Sequence, residues 1–118
     1  MTPLTDPAYL VGVGGALGAL LRTLVGELVT ADAYPASTLV VNVVGSFCLA
    51  ALTAAGAGDD LVLLLGTGAC GSFTTFSSFA VETVRLWEDG DRPRAAVHAG
   101  ANLGGAGVAI ALAWLLVG

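Results

Sequence analysis

Residues 61–81 read LVLLLGTGACGSFTTFSSFAV, an unbroken run without a charged side chain. An α-helix rises about 1.5 Å per residue, so about 20 apolar residues cross the hydrocarbon core of a bilayer. This run is long enough to span. Its composition is unusual for a span, because Gly66, Gly68 and Gly71 stand among six hydroxyl side chains between Thr67 and Ser78. Glycine and β-branched threonine both weaken a helix, and hydroxyls can satisfy backbone groups that a break sets free. The expectation is a third span broken mid-membrane near 71–75, with carbonyls turned inward. Non-helical backbone at that depth survives only when it is buried in protein or lines a cavity. Carbonyls exposed there suit a cation, as in transporters with discontinuous helices.

Outward from this run, residues 33–58 and 95–118 are also free of charge, and 7–30 is apolar apart from Arg22 and Glu27. Four spans follow, at about 8–30, 36–58, 61–86 and 95–117. Polar connectors join them at 31–36, at Asp59 and Asp60, and at 82–94. Residues 1–118 therefore read as a single four-helix transmembrane domain, an all-α integral membrane protein. The prolines (Pro3, Pro7, Pro35, Pro93) fall outside a span or in its first turn, where a missing N–H costs nothing. Tyr9, Tyr34, Trp87 and Trp114 sit near span ends, as an aromatic belt requires. Composition agrees: 56% of the residues are hydrophobic and 11% charged, against about a quarter charged in soluble domains. Mean hydropathy is +0.87, carried by Ala, Leu, Val and 17 glycines.

The net charge of −5 comes from nine acids against four arginines, with no lysine. That excludes a nucleic-acid partner, which needs a basic patch; acids crowded into short loops would suit a high-salt cytoplasm. No nucleophile–base set or metal-ligand cluster appears, so the chain does not read as an enzyme. Gly66, Gly68 and Gly71 match a dinucleotide fingerprint, but no strand precedes them and no βαβ unit fits. Ala31, Asp32 and Ala33 resemble a signal-peptide cleavage site, yet Asp6 replaces the basic n-region and Arg22 interrupts the apolar core, so cleavage is not expected. Cys48 and Cys70 fit packed thiols better than a metal or redox pair. His98 fits an interfacial side chain better than a ligand.

Polar residues in a membrane helix need a reason. Thr38, Asn42 and Ser46 are four apart and form one stripe, either as glue between helices or as donors along an ion path. Phe76 and Phe79 share a face, either in packing or presenting positive ring edges to an anion. Gly14, Gly18, Arg22 and Gly26 recur at intervals of four. The glycines suit close helix packing, and Arg22 suits snorkelling, a structural anchor, or a positive field that draws anions into a vestibule. Gly100 and Gly104 repeat the small-residue spacing in the last span, where Asn102 is the one amide.

Three segments, GGALGALLR (14–22), TLVVNVVGSF (38–47) and GSFTTFSSF (71–79), resemble in order the Fluc (CrcB) family of fluoride channels. The resemblance covers the whole chain and implies an antiparallel dimer in the cell membrane, with two narrow pores that export fluoride passively and lower its cytoplasmic level. It also implies a central structural Na⁺, not transported, on the backbone carbonyls of Gly71 and Thr74. Asn42, Phe76 and Phe79 correspond to pore residues, joined by the hydroxyls of Ser46, Thr75 and Ser78. Arg22 matches the motif arginine, with a structural or electrostatic role. The family often has an aromatic where Thr23 stands and Thr where Ser78 stands. Gly104, Gly105 and Ala106 occupy the stretch where its last span usually carries hydroxyls.

Two other readings fit four short spans. A proton-coupled exporter needs a membrane-buried carboxylate, and only Glu27 and Glu82, both near span ends, are candidates. A non-transporting subunit of a membrane assembly would use the polar residues as glue alone. Orientation follows arginines in short loops. Arg85, Arg92 and Arg94, with Arg22 leaning the same way, put the third connector in the cytoplasm and both termini outside. An antiparallel partner would then be a sister chain of opposite bias, or the chain itself if it inserts both ways.

Overall fold

The computed structural model describes residues 5–30 and 34–118; the cleavage-like triplet at 31–33 lies outside the described residues. Helix α1 spans Pro7–Leu28. Asp6 caps it, its carboxylate accepting the Ala8 N–H at 2.9 Å, and Pro7 takes the first turn. Helix α2 spans Ala36–Ala54. It stops four residues before the apolar run does, because Gly56 adopts φ +70°. There the Gly56 N–H donates to the Thr53 carbonyl and the Ala57 N–H to the Leu52 carbonyl, the paired bonds of a Schellman close.

The third span, Asp59–Glu88, comes in pieces. A single α turn, α3 (Asp59–Leu61), leads into a π-helical segment, Val62–Cys70. A second short turn, α4 (Gly71–Phe73), follows. Thr74 (φ −81°, ψ 163°) and Thr75 (φ −149°, ψ 121°) are then extended. Helix α5 resumes over Phe76–Glu88, with the Thr75 hydroxyl accepting the Ser78 N–H as its N-cap. Gly71 itself remains helical; the interruption falls on the two threonines after it.

The last helix, α6, spans Arg92–Val117. The third connector is therefore shorter than the charged stretch 82–94: α5 carries Glu82, Arg85 and Glu88 as ordinary helical residues. Charge alone does not end a helix. Gly90, at φ +86°, does, with the Gly90 and Asp91 N–H groups donating to the Trp87 and Leu86 carbonyls. Asp91 caps α6 through the Arg94 N–H and also pairs with the Arg94 guanidinium at 3.4 Å. The Arg92 guanidinium lies over the Trp87 ring, 4.5 Å from its centroid.

Helix α1 lies along the π segment and α4, while α2 and α5 pack on α6. The apolar side chains buried within the protomer are Leu10, Val41, Ala50, Ala95, Ala109 and Ala113, whereas Leu, Val and Trp side chains line the outside. That inverted distribution and four sufficiently long apolar helices describe a multi-pass membrane protein.

Glycine decides the closest approach. A Cβ on Gly14 would run into the Leu64 carbonyl oxygen, and one on Gly18 into that of Ala69. Backbone meets backbone there. Gly26 completes the same stripe in sequence but has nothing within 4 Å. In the last span Gly100 and Gly104 also face open space, and it is Gly105 that meets a neighbour, the Val43 side chain. Within the protomer, α2 therefore crosses α6 at Gly105, not on the Gly100–Gly104 spacing. Cys48 and Cys70 are free thiols, and Cys48 is exposed on the protomer surface rather than packed.

Candidate functional site

Of the two extended threonines, Thr74 keeps a helical partner, its N–H donating to the Cys70 carbonyl, but the Thr75 N–H and carbonyl need others, because an unpaired backbone group away from water costs about 1–3 kcal/mol. Asn42 supplies them from α2. Its Oδ1 accepts the Thr75 N–H at 2.8 Å, and its Nδ2 donates to the Thr75 carbonyl at 3.1 Å. In a continuous helix the Thr75 N–H would have gone to the Gly71 carbonyl. Asn42 therefore takes the donor that Gly71 would have used. The second Nδ2 hydrogen of Asn42 goes to Asn102 Oδ1 at 2.9 Å.

The relay continues into α6. Asn102 Nδ2 donates to the His98 carbonyl at 2.8 Å and meets His98 Nδ1 at 3.2 Å. An amide N–H donates only, so Nδ1 accepts and the ring proton sits on Nε2. That nitrogen faces Glu82 Oε1 at 3.4 Å. His98 is fully buried, with the Tyr34 ring edge-on at 5.5 Å and the Phe79 ring at 5.6 Å. The expectation of an interfacial histidine is corrected. Asn102 and Glu82 give it polar partners inside the bundle, so it need not reach the surface.

Two cavities meet at this relay. The larger, about 500 Å³, brings Asn42, Ser46, Gly71, Thr74, Thr75, Phe76 and Phe79 together, with Asn102 on its α6 side. The Phe76 and Phe79 centroids are 5.9 Å apart with planes tilted by 58°; Phe76 is 78% exposed in the protomer. The smaller, about 240 Å³, holds Arg22, Thr38, Thr75, Ser78 and Glu82. It lies towards the end where α1 stops and α2 begins. Arg22 and Ser78 thus belong to a different cavity from the phenylalanines, and Thr75 lines both. Asn102 and Glu82 are the members that reading the sequence did not assign to the site. The i, i+4 pairing of His98 with Asn102 on one helix face was the available signal.

Asn42 holds the break, so its loss should be felt structurally. Asn42→Leu leaves the Thr75 N–H and carbonyl unpaired and should cost roughly 2 kcal/mol or more. A fall in the melting temperature of the purified protein in detergent would register it; an unchanged melting temperature would refute the bracing role.

A helical membrane protein with a polar seam at an interrupted span belongs to the class that moves or holds ions. The sequence match is more specific. The family model described as "CrcB-like protein, Camphor Resistance (CrcB)" matches residues 9–116. "Fluoride-specific ion channel FluC 1" of Halobacterium salinarum is 64% identical over 115 residues, covering 97% of this chain and 96% of that one. "Fluoride-specific ion channel FluC 2" of Haloarcula marismortui is 55% identical, covering 95% and 94%. "Fluoride-specific ion channel FluC" of Novosphingobium aromaticivorans is 39% identical, covering 85% and 86%. The chain belongs to the Fluc (CrcB) family, a family of ion channels and not of enzymes.

Proposed function

We propose that this chain is one subunit of a passive, fluoride-selective channel, which lets F⁻ leave the cell and lowers its cytoplasmic level. The observation that carries the reading is the grouping of Asn42, Ser46, Thr75, Phe76 and Phe79 on one cavity in a chain whose relatives are fluoride-specific channels. A small hydrated anion gives up water only where donors replace it, and here hydroxyls and aromatic edges offer them. Asn42 uses both Nδ2 hydrogens within the protein, so its part is to shape the path around Thr75. Fluoride efflux from liposomes holding the protein, alone and together with a sister chain of opposite orientation, with chloride as control, tests this: rapid F⁻ efflux without Cl⁻ is expected from at least one of the two, and efflux no faster than from protein-free liposomes in both would sink it.

The working unit is an antiparallel dimer with two pores. Phe76, 78% exposed beside a cavity lined by Asn42 and Thr75, supports a second subunit against this face. A structural Na⁺ fits the break, since Gly71 and Thr74 line the cavity and the Thr75 N–H donates to Asn42 instead of Gly71. Their carbonyls are hard oxygen donors, and two subunits would offer four to one ion at the interface. Replacing all Na⁺ with a large organic cation should lower both dimer content and flux. Unchanged cross-linking and flux would remove sodium from the picture.

Glu82 gives the proton-coupled exporter its one supporting feature, because its Oε1 is buried against His98. F⁻ flux that persists without a proton gradient distinguishes the channel. Orientation follows the arginines: the third connector is cytoplasmic and both termini are outside. A reporter cysteine at each terminus, with Cys48 and Cys70 replaced by alanine, should label from outside only. Equal labelling from both sides would mean dual insertion and a homodimer.

A further inference from the structure

We infer that Gly45 is a positioning residue of the cation site: by making room for the Thr74 methyl, it lets α2 aim the Thr74 carbonyl. The inference deepens the sodium reading proposed above and rests on it only for its cation measurements. Asn42 and Gly45 are three apart on α2 and so share a helix face. One turn of α2 therefore grips two consecutive residues of the break. Asn42 accepts the Thr75 N–H at 2.8 Å and donates to the Thr75 carbonyl at 3.1 Å. Gly45, which is buried, receives the Thr74 side chain: a Cβ there would overlap the Thr74 Cγ2 methyl and lie 3.3 Å from Phe73 Cδ2. The peptide between Thr74 and Thr75 is trans, so its carbonyl points opposite to the N–H that Asn42 holds. The Thr74 carbonyl is thus turned away from Asn42, and α2 sets its direction.

The methyl has no free way out. The Thr74 hydroxyl donates to the Cys70 carbonyl at 2.9 Å, the same oxygen that accepts the Thr74 N–H at 3.1 Å. A threonine side chain sits in staggered positions about χ1, and its methyl and hydroxyl turn together. Swinging the methyl away from α2 therefore takes the hydroxyl off Cys70. Nor can α2 withdraw freely. The same helix holds Thr75 through Asn42 and reaches α6 through the 2.9 Å bond from Asn42 Nδ2 to Asn102 Oδ1. With alanine at position 45, either Asn42 loosens its hold on Thr75 or Thr74 twists. In both cases the Thr74 carbonyl turns. A cation shared by two subunits would feel that turn twice, because each subunit contributes the same oxygen.

The experiment compares the parent, Gly45→Ala, and Gly45→Ala combined with Thr74→Ser or with Thr74→Val, in the preparation that forms dimers, with or without the sister chain. Serine keeps the hydroxyl for Cys70 and lacks the methyl; valine keeps the methyl and lacks the hydroxyl. Gly45→Ala should raise the Na⁺ concentration for half-maximal cross-linked dimer severalfold. Adding Thr74→Ser should return that midpoint to near the parental value, and adding Thr74→Val should not. The Thr74 carbonyl-carbon resonance reports the peptide itself: it should move in Gly45→Ala and return with Thr74→Ser. A role in packing alone would lower the melting temperature of Gly45→Ala and leave its Na⁺ midpoint parental, which overturns the inference. So does a Gly45→Ala, Thr74→Ser protein that behaves as Gly45→Ala does. A parent whose dimer ignores Na⁺ refutes the sodium site, and the carbonyl resonance then decides the positioning role by itself. Should Gly45→Ala fail to fold, a folded dimer recovered by Thr74→Ser supports the steric fit, and no recovery refutes it.

Discussion

Phe79→Ile and Phe76→Ile should each cut fluoride flux by about tenfold or more while leaving the protein folded, a loss equivalent to about 1.4 kcal/mol at the barrier. Phe76 supplies the cleaner case. It is 78% exposed in the protomer, so an apolar replacement removes little packing within the subunit, and any packing lost against the second subunit would show as a fall in dimer content. What isoleucine cannot supply is the positive edge of an aromatic ring, and the two rings lie 5.9 Å apart on the same cavity as Ser46 and Thr75. Phe79 also packs beside the His98 ring, so its replacement removes packing as well as a ring edge. Efflux rates normalised to dimer content measure the effect. Parental flux in both variants would reduce the rings to packing.

Gly18→Ala should be among the most damaging single-methyl changes in the chain. The new Cβ would overlap the Ala69 carbonyl oxygen, and backbone cannot rotate away as a side chain can. Overpacking usually costs about 1–3 kcal/mol; with backbone on both sides the upper end is expected. Gly12→Ala, on the same helix, meets nothing within 4 Å. Alanine is also favoured over glycine in a helix by about 1 kcal/mol, so that variant should be neutral or slightly stabilised. Melting temperatures in detergent would show opposite signs for the two changes. Equal effects would mean that α1 does not meet the π segment through its backbone.

The four spans were legible because each is a local property: an apolar run of about 20 residues identifies itself without its neighbours. The weakness of the third span was legible for the same reason, from its glycines and hydroxyls. The backbone conformation was less so. The π turns of Val62–Cys70 have no local signature, and the extended pair at Thr74 and Thr75 depends on Asn42, thirty-three residues away. The stripe of Thr38, Asn42 and Ser46 was visible, but its division between two cavities was not, because Thr75 supplies the divide from another span. Glu82 and His98 illustrate the limit most plainly. Each stands near the end of its span; only the packing of α5 on α6 sets the buried Oε1 of a half-buried Glu82 against the fully buried His98 ring.

Thr75 is nearly buried and lines both cavities, and for a channel built this way the consequence is electrical. Water that enters from either face carries the potential of its own compartment, and low-dielectric walls concentrate the field lines between. The membrane voltage would fall mostly across the thickness of one residue rather than along the whole bundle. An elementary charge crossing 100 mV exchanges about 2.3 kcal/mol. An ion held beside Arg22 and Ser78 would have crossed almost none of that drop, and one beside Phe76 nearly all of it. Block by an impermeant anion applied from the Arg22 side should therefore depend little on voltage, and the same anion applied from the other face should report the same shallow dependence until it is small enough to pass Thr75.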